Sequence, residues 1–405
     1  MEKLLSVGKE SEASYYGWVV VAMAFLANLI AFGLVYAFSV FLKPLASEFG
    51  WSRAATVFAF SAYAITHDLF SPFTGWLTDR FGPRVIASMG GFSLAASMVL
   101  MSQVNAVWEL YFCFAFLFGW GVACVYGPLM ATVSRWFFAK RGLAIGLTAA
   151  GIGGGSIVLS PLAAWLISTN GWRTAFIIIG AIAFVGFIPI AIFIRNPRQS
   201  RGGEGRRDLS QDFSFIEALN TKVLWIFGFS WLFICIAAWS IMVHIVALLT
   251  DKGVSLILAG FLAGLIGVGS LIGRISAGFL SDKLGRKKIL FSAYALQLMI
   301  LIWLLISMEL WMFFVFAPIF GISYGGWASV TAAFPADYFG LKSTAAIFGF
   351  VLIMAGIGVA VGPYLGGYIF DTTQSYYHMI LMCILATFLA IILASFLAPP
   401  EKATS

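Results

Sequence analysis

"GWLTDRFGPR" fills residues 75 to 84, and "GFLSDKLGRK" fills residues 278 to 287, 203 positions further on. Each block closes one apolar run and opens the next, which makes it a tight polar hairpin. Gly82 and Gly285 permit the reversal, and Asp79 and Asp282 can accept from helix N-terminal amides or from a neighbouring cation. A hairpin repeated about half a chain apart points to duplication, and two further pairs keep nearly the same offset. "FAFLFG" (114 to 119) pairs with "FAPIFG" (316 to 321), and "AGIG" (150 to 153) with "AGIG" (355 to 358).

The segments around these hairpins are too apolar for water. Of 405 residues, 61% are hydrophobic and only 10% charged, with a mean hydropathy of +0.98, so a soluble domain is excluded. Runs long enough to cross a hydrocarbon core as helices lie near 15 to 42, 52 to 75, 84 to 104, 109 to 134, 142 to 166, 173 to 194, 221 to 248, 254 to 280, 289 to 308, 310 to 335, 343 to 368 and 376 to 398. An all-α membrane protein with twelve transmembrane helices follows, in two pseudo-symmetric six-helix halves: 1 to 195 and 221 to 405, joined by a linker over 196 to 220. The linker's Arg- and Gly-rich stretch, "RNPRQSRGGEGRRDLSQDF" (195 to 213), has no apolar period and can rest on anionic lipid.

Lys and Arg set the orientation. With the N-terminus inside, every one of them falls on the inner side except Lys43, Arg53, Arg173 and Lys252, which lie outside, and Arg274, which lies in a span. Both termini are therefore expected in the cytoplasm, and the short loops and tails suit a bacterial inner membrane. The net charge of +7 is a topology signal and gives no support for nucleic-acid binding. No cleavable signal peptide is expected, because the first apolar run is too long for one. Cys113, Cys124, Cys235 and Cys383 lie inside apolar spans without metal-ligand spacing, and no cofactor or metal is implied.

The doubled hairpin, Gly-x-Leu-x-Asp-(Arg/Lys)-x-Gly-x-(Arg/Lys), resembles the loop motif of the major facilitator superfamily and implies the major facilitator fold. The resemblance gives Asp79, Arg80, Arg84, Asp282, Lys283 and Arg286 the role of a conformational gate, a charge network that breaks when the halves rock. "YYGWVVVAMAF" (15 to 25) and "WFFAKRGLAIGLTAAGIGGGSIVLSP" (136 to 161) are similar to the signature segments of the monocarboxylate transporter family, a pattern that bacterial oxalate/formate antiporters share. Two features depart from lactate-carrying members. The first span has no charge between Trp18 and Lys43, and Ser270 stands four residues before Arg274, where an aspartate is usual.

Arg274 precedes Asp282 by eight residues, so it sits roughly 12 Å above the hairpin, inside the hydrocarbon zone. A guanidinium there costs about 2.5 to 3.5 kcal/mol on insertion scales and cannot shed its proton, so it needs an anionic partner or a polar cavity. Asp68 is the carboxylate clearly inside another span, and a permanent Arg274–Asp68 pair is one reading. The other is a substrate carboxylate, which a guanidinium grips through two parallel hydrogen bonds. The eighth-span arginine is also where the monocarboxylate resemblance puts the substrate. Asn28, Tyr36, Tyr126, Tyr324 and Tyr377 are further substrate-contact candidates, and Asp68, its neighbour His67, and His244 are candidates for the proton. The resulting expectation is a transporter, not an enzyme: symport of a small monocarboxylate such as L-lactate or pyruvate with a proton, across the lipid bilayer. Exchange of the oxalate/formate type is the alternative.

Overall fold

The computed structural model describes residues 2–137, 141–197, 212–331, 334–340 and 343–398. Most of the expected linker, the middle of the "WFFAKRG" stretch, the side chain of Asp282 and Lys342 lie outside the described residues. All regular structure among the described residues is helical.

Ten of these helices are long and apolar enough to cross a bilayer. One of the ten, Gly142–Phe193, has 52 residues and would run about 78 Å as a single rod, far beyond a hydrocarbon core of about 30 Å. It is two helices meeting at Gly171, whose φ of 77° and ψ of 161° are not helical. Arg53–Phe81 is also long enough, with 29 residues, but His67 and Asp68 in its middle and Asp79 and Arg80 near its end make it less apolar than the ten.

We number the twelve helices α1 (Glu2–Phe49), α2 (Arg53–Phe81), α3 (Pro83–Met101), α4 (Val107–Trp136), α5 (141–170), α6 (172–193), α7 (Lys222–Asp251), α8 (Leu256–Leu284), α9 (Arg286–Ile306), α10 (Leu310–Thr331), α11 (Thr344–Thr373) and α12 (Tyr377–Ser395). α4, expected as one continuous span, widens to a π-helix over Tyr111–Phe118 and breaks at Cys124 and Val125. The tenth span, expected to 335, ends at Thr331, and a short helix, Phe334–Phe339, follows.

The chain forms two compact units. One is Met1–Phe49 with Ala62–Gly202; the other is Gly50–Ser61 with Gly203–Ser405, so the first turns of α2 group with the second. In the first unit α1 lies against α5, and α3 against α4 and α6; in the second α7 lies against α11, and α9 against α10 and α12. The α1–α5 and α3–α6 pairings thus recur as α7–α11 and α9–α12, as duplication requires.

Small residues set the closest contacts. Gly358, Gly362 and Gly366 of α11, one helical turn apart, face Leu232, Ile236 and His244 of α7, and the carbonyls of Leu232 and Ile236 occupy the space that a Cβ would need. On α8 and α10 the arrangement is reciprocal: Gly269 and Gly273 meet the backbone of Pro318 and Ile322, while Gly321 and Gly325 meet that of Ile266 and Ser270.

Candidate functional site

Arg274 follows directly on the tight α8–α10 contact. Because Gly273 abuts Ile322, Arg274 emerges next to Tyr324, and its guanidinium carbon lies 5.6 Å from the Tyr324 ring centre. Its Nε donates a long hydrogen bond, 3.4 Å, to Oγ of Ser270 one turn earlier. Ser270 therefore occupies the place of the missing aspartate as a neutral acceptor. The terminal guanidinium nitrogens have no acceptor among the described residues, and the side chain is half-buried. Within the second unit the surroundings are aromatic: Tyr324 meets Trp327 edge-on at 5.1 Å and Trp239 edge-on at 6.3 Å. A cation with two free edges against an amphipathic wall can hold a small planar carboxylate.

In the first unit, His67 and Asp68 lie at the middle of α2. Nδ1 of His67 is 2.9 Å from Oδ1 of Asp68, and with Asp68 ionised the carboxylate accepts and Nδ1 carries the hydrogen. Nε2 is shielded and has no hydrogen-bond partner among the described residues. Asn28 is fully buried where α1 meets α5; its amide donates to the Thr148 carbonyl at 3.2 Å, and its Oδ1 has no hydrogen-bond partner among the described residues. Tyr36 and Tyr126 are on α1 and α4, and Tyr126 packs edge-on to Phe32 at 5.4 Å.

A network that sequence reading missed lies at the start of α2. The backbone amides of Arg53 and Ala54 donate to the two carboxylate oxygens of Asp371 at 2.9 and 2.8 Å, so the end of α11 caps the start of α2. The Arg53 guanidinium pairs with Asp251 at 2.7 Å, stacks 3.6 Å above the Phe370 ring and donates to Oη of Tyr376. Tyr376 is 3.1 Å from Nδ1 of His244, and Nε2 of His244 is 2.9 Å from the Pro363 carbonyl. A carbonyl only accepts, so Nε2 bears the hydrogen and, in neutral His244, Nδ1 accepts from Tyr376. Burial pushes the Tyr376 phenol above its ordinary range, against the pull of Arg53. His244 is thus fully engaged, whereas the expected contact residue Tyr377 is 51% exposed, with His378 against its ring. A clue was present: Arg53 is one of only four cations on the expected outer side.

At the hairpins, Gly82 and Gly285 take left-handed φ values of 85° and 92°, as the turns demand. Asp79 pairs with Arg135 of α4 at 2.6 Å, and Arg286 pairs with Asp337 and donates to Ser281. Arg80 lies over the Trp76 and Phe81 rings, Lys283 over Phe279, and the hydroxyl of Ser88 donates to the backbone carbonyl of Arg84. Lys287 secures the end of α12 by donating to the carbonyls of Ser395 and Leu397. Arg135 and Asp337 were not anticipated as partners, yet they stand 202 residues apart, the offset of the "FAFLFG" pair, so one repeat position carries opposite charge in the two halves.

Among the described residues, twelve helices long enough to cross a bilayer fall in two sets with matching pairings, and Arg274 lies inside one of them, an arrangement that fits a membrane transporter. Residues 24–307 and 245–405 match the Major Facilitator Superfamily, and the chain belongs to it. It is 29% identical to the oxalate:formate antiporter of Oxalobacter formigenes, over 94% of this chain and 91% of that one. It is 26% identical to monocarboxylate transporter 11 of Mus musculus, over 91% and 84%, and 25% identical to monocarboxylate transporter 12 of Rattus norvegicus, over 98% and 88%. Among solved structures, a bacterial homologue of the human lysosomal transporter Spinster, described as inward-facing and unoccupied, aligns with a TM-score of 0.77 at 16% identity, covering 96% of this chain and 99% of that one. That likeness bears on the fold alone.

Proposed function

We propose that this transporter carries small monocarboxylates of the L-lactate or pyruvate type together with a proton, by alternating access. The observation that carries the reading is Arg274, an intramembrane guanidinium whose terminal nitrogens have no acceptor among the described residues, beside Tyr324. The names of its relatives, monocarboxylate transporters and an oxalate:formate antiporter, support an organic anion as the cargo. A single arginine matches a single carboxylate, and no second cation lies deep in a span among the described residues.

Proton coupling follows from the chemistry of the cargo. A hydroxy or keto acid with a carboxyl group like that of Asp is ionised in all but about one molecule in a thousand at pH 7. Moving the anion alone against a negative interior costs about 2.3 kcal/mol per 100 mV, whereas anion plus proton moves no net charge. Asn28, Tyr36 and Tyr126 remain candidate contacts on the first unit, and Tyr324 and Tyr377 on the second. The two hairpins, with Asp79–Arg135 and Arg286–Asp337, act as the gate on the cytoplasmic side.

Uptake of radiolabelled L-lactate into proteoliposomes tests this, with and without an alkaline interior and with oxalate loaded inside as a separate arm. Accumulation that follows the pH gradient and ignores internal oxalate is the expected result. Uptake that requires an internal anion and ignores the gradient would instead establish exchange, which the 29% identity to the oxalate:formate antiporter favours as the second reading.

A further inference from the structure

We propose that Nε2 of His67 is the position that takes and releases the coupled proton, with Asp68 as the positioning residue and charge partner; this rests on the proton-symport reading above. The geometry assigns the two nitrogens different tasks. Nδ1, 2.9 Å from the Asp68 carboxylate, keeps its hydrogen there as long as Asp68 is ionised, because an ionised carboxylate only accepts. The neutral imidazole must then keep its lone pair on Nε2, which is shielded and without a hydrogen-bond partner among the described residues. Loading forms one N–H bond at Nε2 and breaks one O–H bond of a hydronium ion, leaving water; release reverses the transfer to water on the other side, and Nδ1–H is untouched throughout.

Among the described residues, the neighbours seen on α2 and α4 add no further charge to this dyad. On α2 the other titratable group close to His67 is Tyr63, whose ring lies 6.2 Å from the imidazole. α4 meets this stretch of α2 through Gly119 against Thr66 and through Phe116 and Trp120 against Phe70, and offers no charged group there. Of the two side chains, 19% of His67 and 34% of Asp68 is exposed, but Nε2 itself is shielded, so loading and release require the alternating motion of the carrier to open Nε2 to water.

Charge bookkeeping explains why cargo and proton would move together. With the carrier empty, Asp68 is −1 and Arg274 is +1. With the carrier loaded, the substrate adds −1 and the proton on His67 adds +1. Both states sum to zero, whereas a carrier with substrate alone or proton alone holds an unbalanced unit charge inside the membrane and is disfavoured from crossing. His244 does not serve this purpose, because both of its nitrogens are engaged by Tyr376 and Pro363.

Two measurements test the assignment. The chain has only three histidines, so nitrogen NMR of ¹⁵N-histidine-labelled protein in nanodiscs resolves His67 once His244 and His378 are identified by substitution. The expected spectrum at alkaline pH is the Nδ1–H tautomer, gaining Nε2–H on acidification; Asp68→Leu mixes the tautomers. An Nε2–H tautomer at alkaline pH, or no titration between pH 4 and 9, overturns the proposal without reference to any substrate. In proteoliposomes with L-lactate as the probe, His67→Gln is expected to reduce accumulation driven by a pH gradient at least tenfold more than it reduces counterflow at equal pH. An equal reduction of both overturns the proposal. Absence of L-lactate counterflow in the wild type defeats the monocarboxylate reading instead, and the NMR result still decides the proton site.

Discussion

Replacing Gly273 with alanine should separate α8 from α10 and disable the carrier, while the same change at Gly278, five residues along the same helix, should do neither. An alanine Cβ at 273 falls 2.9 Å from both Cα and the carbonyl carbon of Ile322, and closer still to that carbonyl's oxygen, whereas at 278 nothing lies within 4 Å. Ordinary contact needs roughly 3.5 to 4 Å, and the obstacle is backbone, so the helices must part by about 1 Å. Overpacking of this kind destabilises by about 1 to 3 kcal/mol. At Gly278 the better helix propensity of alanine adds up to about 1 kcal/mol of stability. Arg274 directly follows Gly273 and Tyr324 is two residues beyond Ile322, so the same shift moves the guanidinium off its aromatic neighbour. Misplacement of about 1 Å at a binding constellation can cost on the order of 100-fold in rate. Thermal unfolding of the two purified variants, with L-lactate counterflow in proteoliposomes, checks both consequences. Equal melting temperatures and equal rates for the two variants would refute the packing argument.

Arg53→Gln removes the pair to Asp251 and the cation above Phe370; because those side chains are 12% and 26% exposed, the loss should be about 1 to 3 kcal/mol, seen as a lower melting temperature in detergent. Asp79→Asn with Arg135→Gln forms a double-mutant cycle whose coupling in stability should stay under about 1 kcal/mol, since the pair is 64% and 44% exposed, while the transport rate changes more than either melting temperature; strong coupling in stability with unchanged transport would count against a gating role. Burial keeps the Tyr376 phenol protonated above its ordinary value of 10.0, so above that pH the unfolded chain releases a proton that the folded chain retains, and stability falls as pH rises. Tyr376→Phe should flatten that alkaline slope in denaturant titrations at pH 9 to 11.

The features readable in the sequence are those written locally. Twelve apolar runs, the doubled hairpin and the isolated Arg274 each depend on neighbours within one helix or turn, and each is found in the structure. The break in α4 at Cys124 and Val125 left no mark in a run that is apolar and glycine-containing throughout. The Arg53 network joins residues 198 to 323 positions apart, and no short pattern connects position 53 with 251, 371 and 376. Tyr376 and Tyr377 show the limit most sharply. They are adjacent and chemically identical, but at the entrance to α12 one turns into the Arg53–His244 chain and the other remains exposed, a choice that only the packed helix ends impose.

The central claim is that the Arg274 guanidinium grips the carboxylate of the cargo. Saturation binding of radiolabelled L-lactate to the purified protein, with unlabelled L-lactate or lactamide as competitor, measures that grip directly, alongside the Arg274→Lys variant. The account predicts that lactate displaces the label, that lactamide, the same molecule with an uncharged amide in place of the carboxylate, does not, and that the folded lysine variant binds at least tenfold more weakly. Equal displacement by lactamide, or undiminished binding to Arg274→Lys, would contradict it.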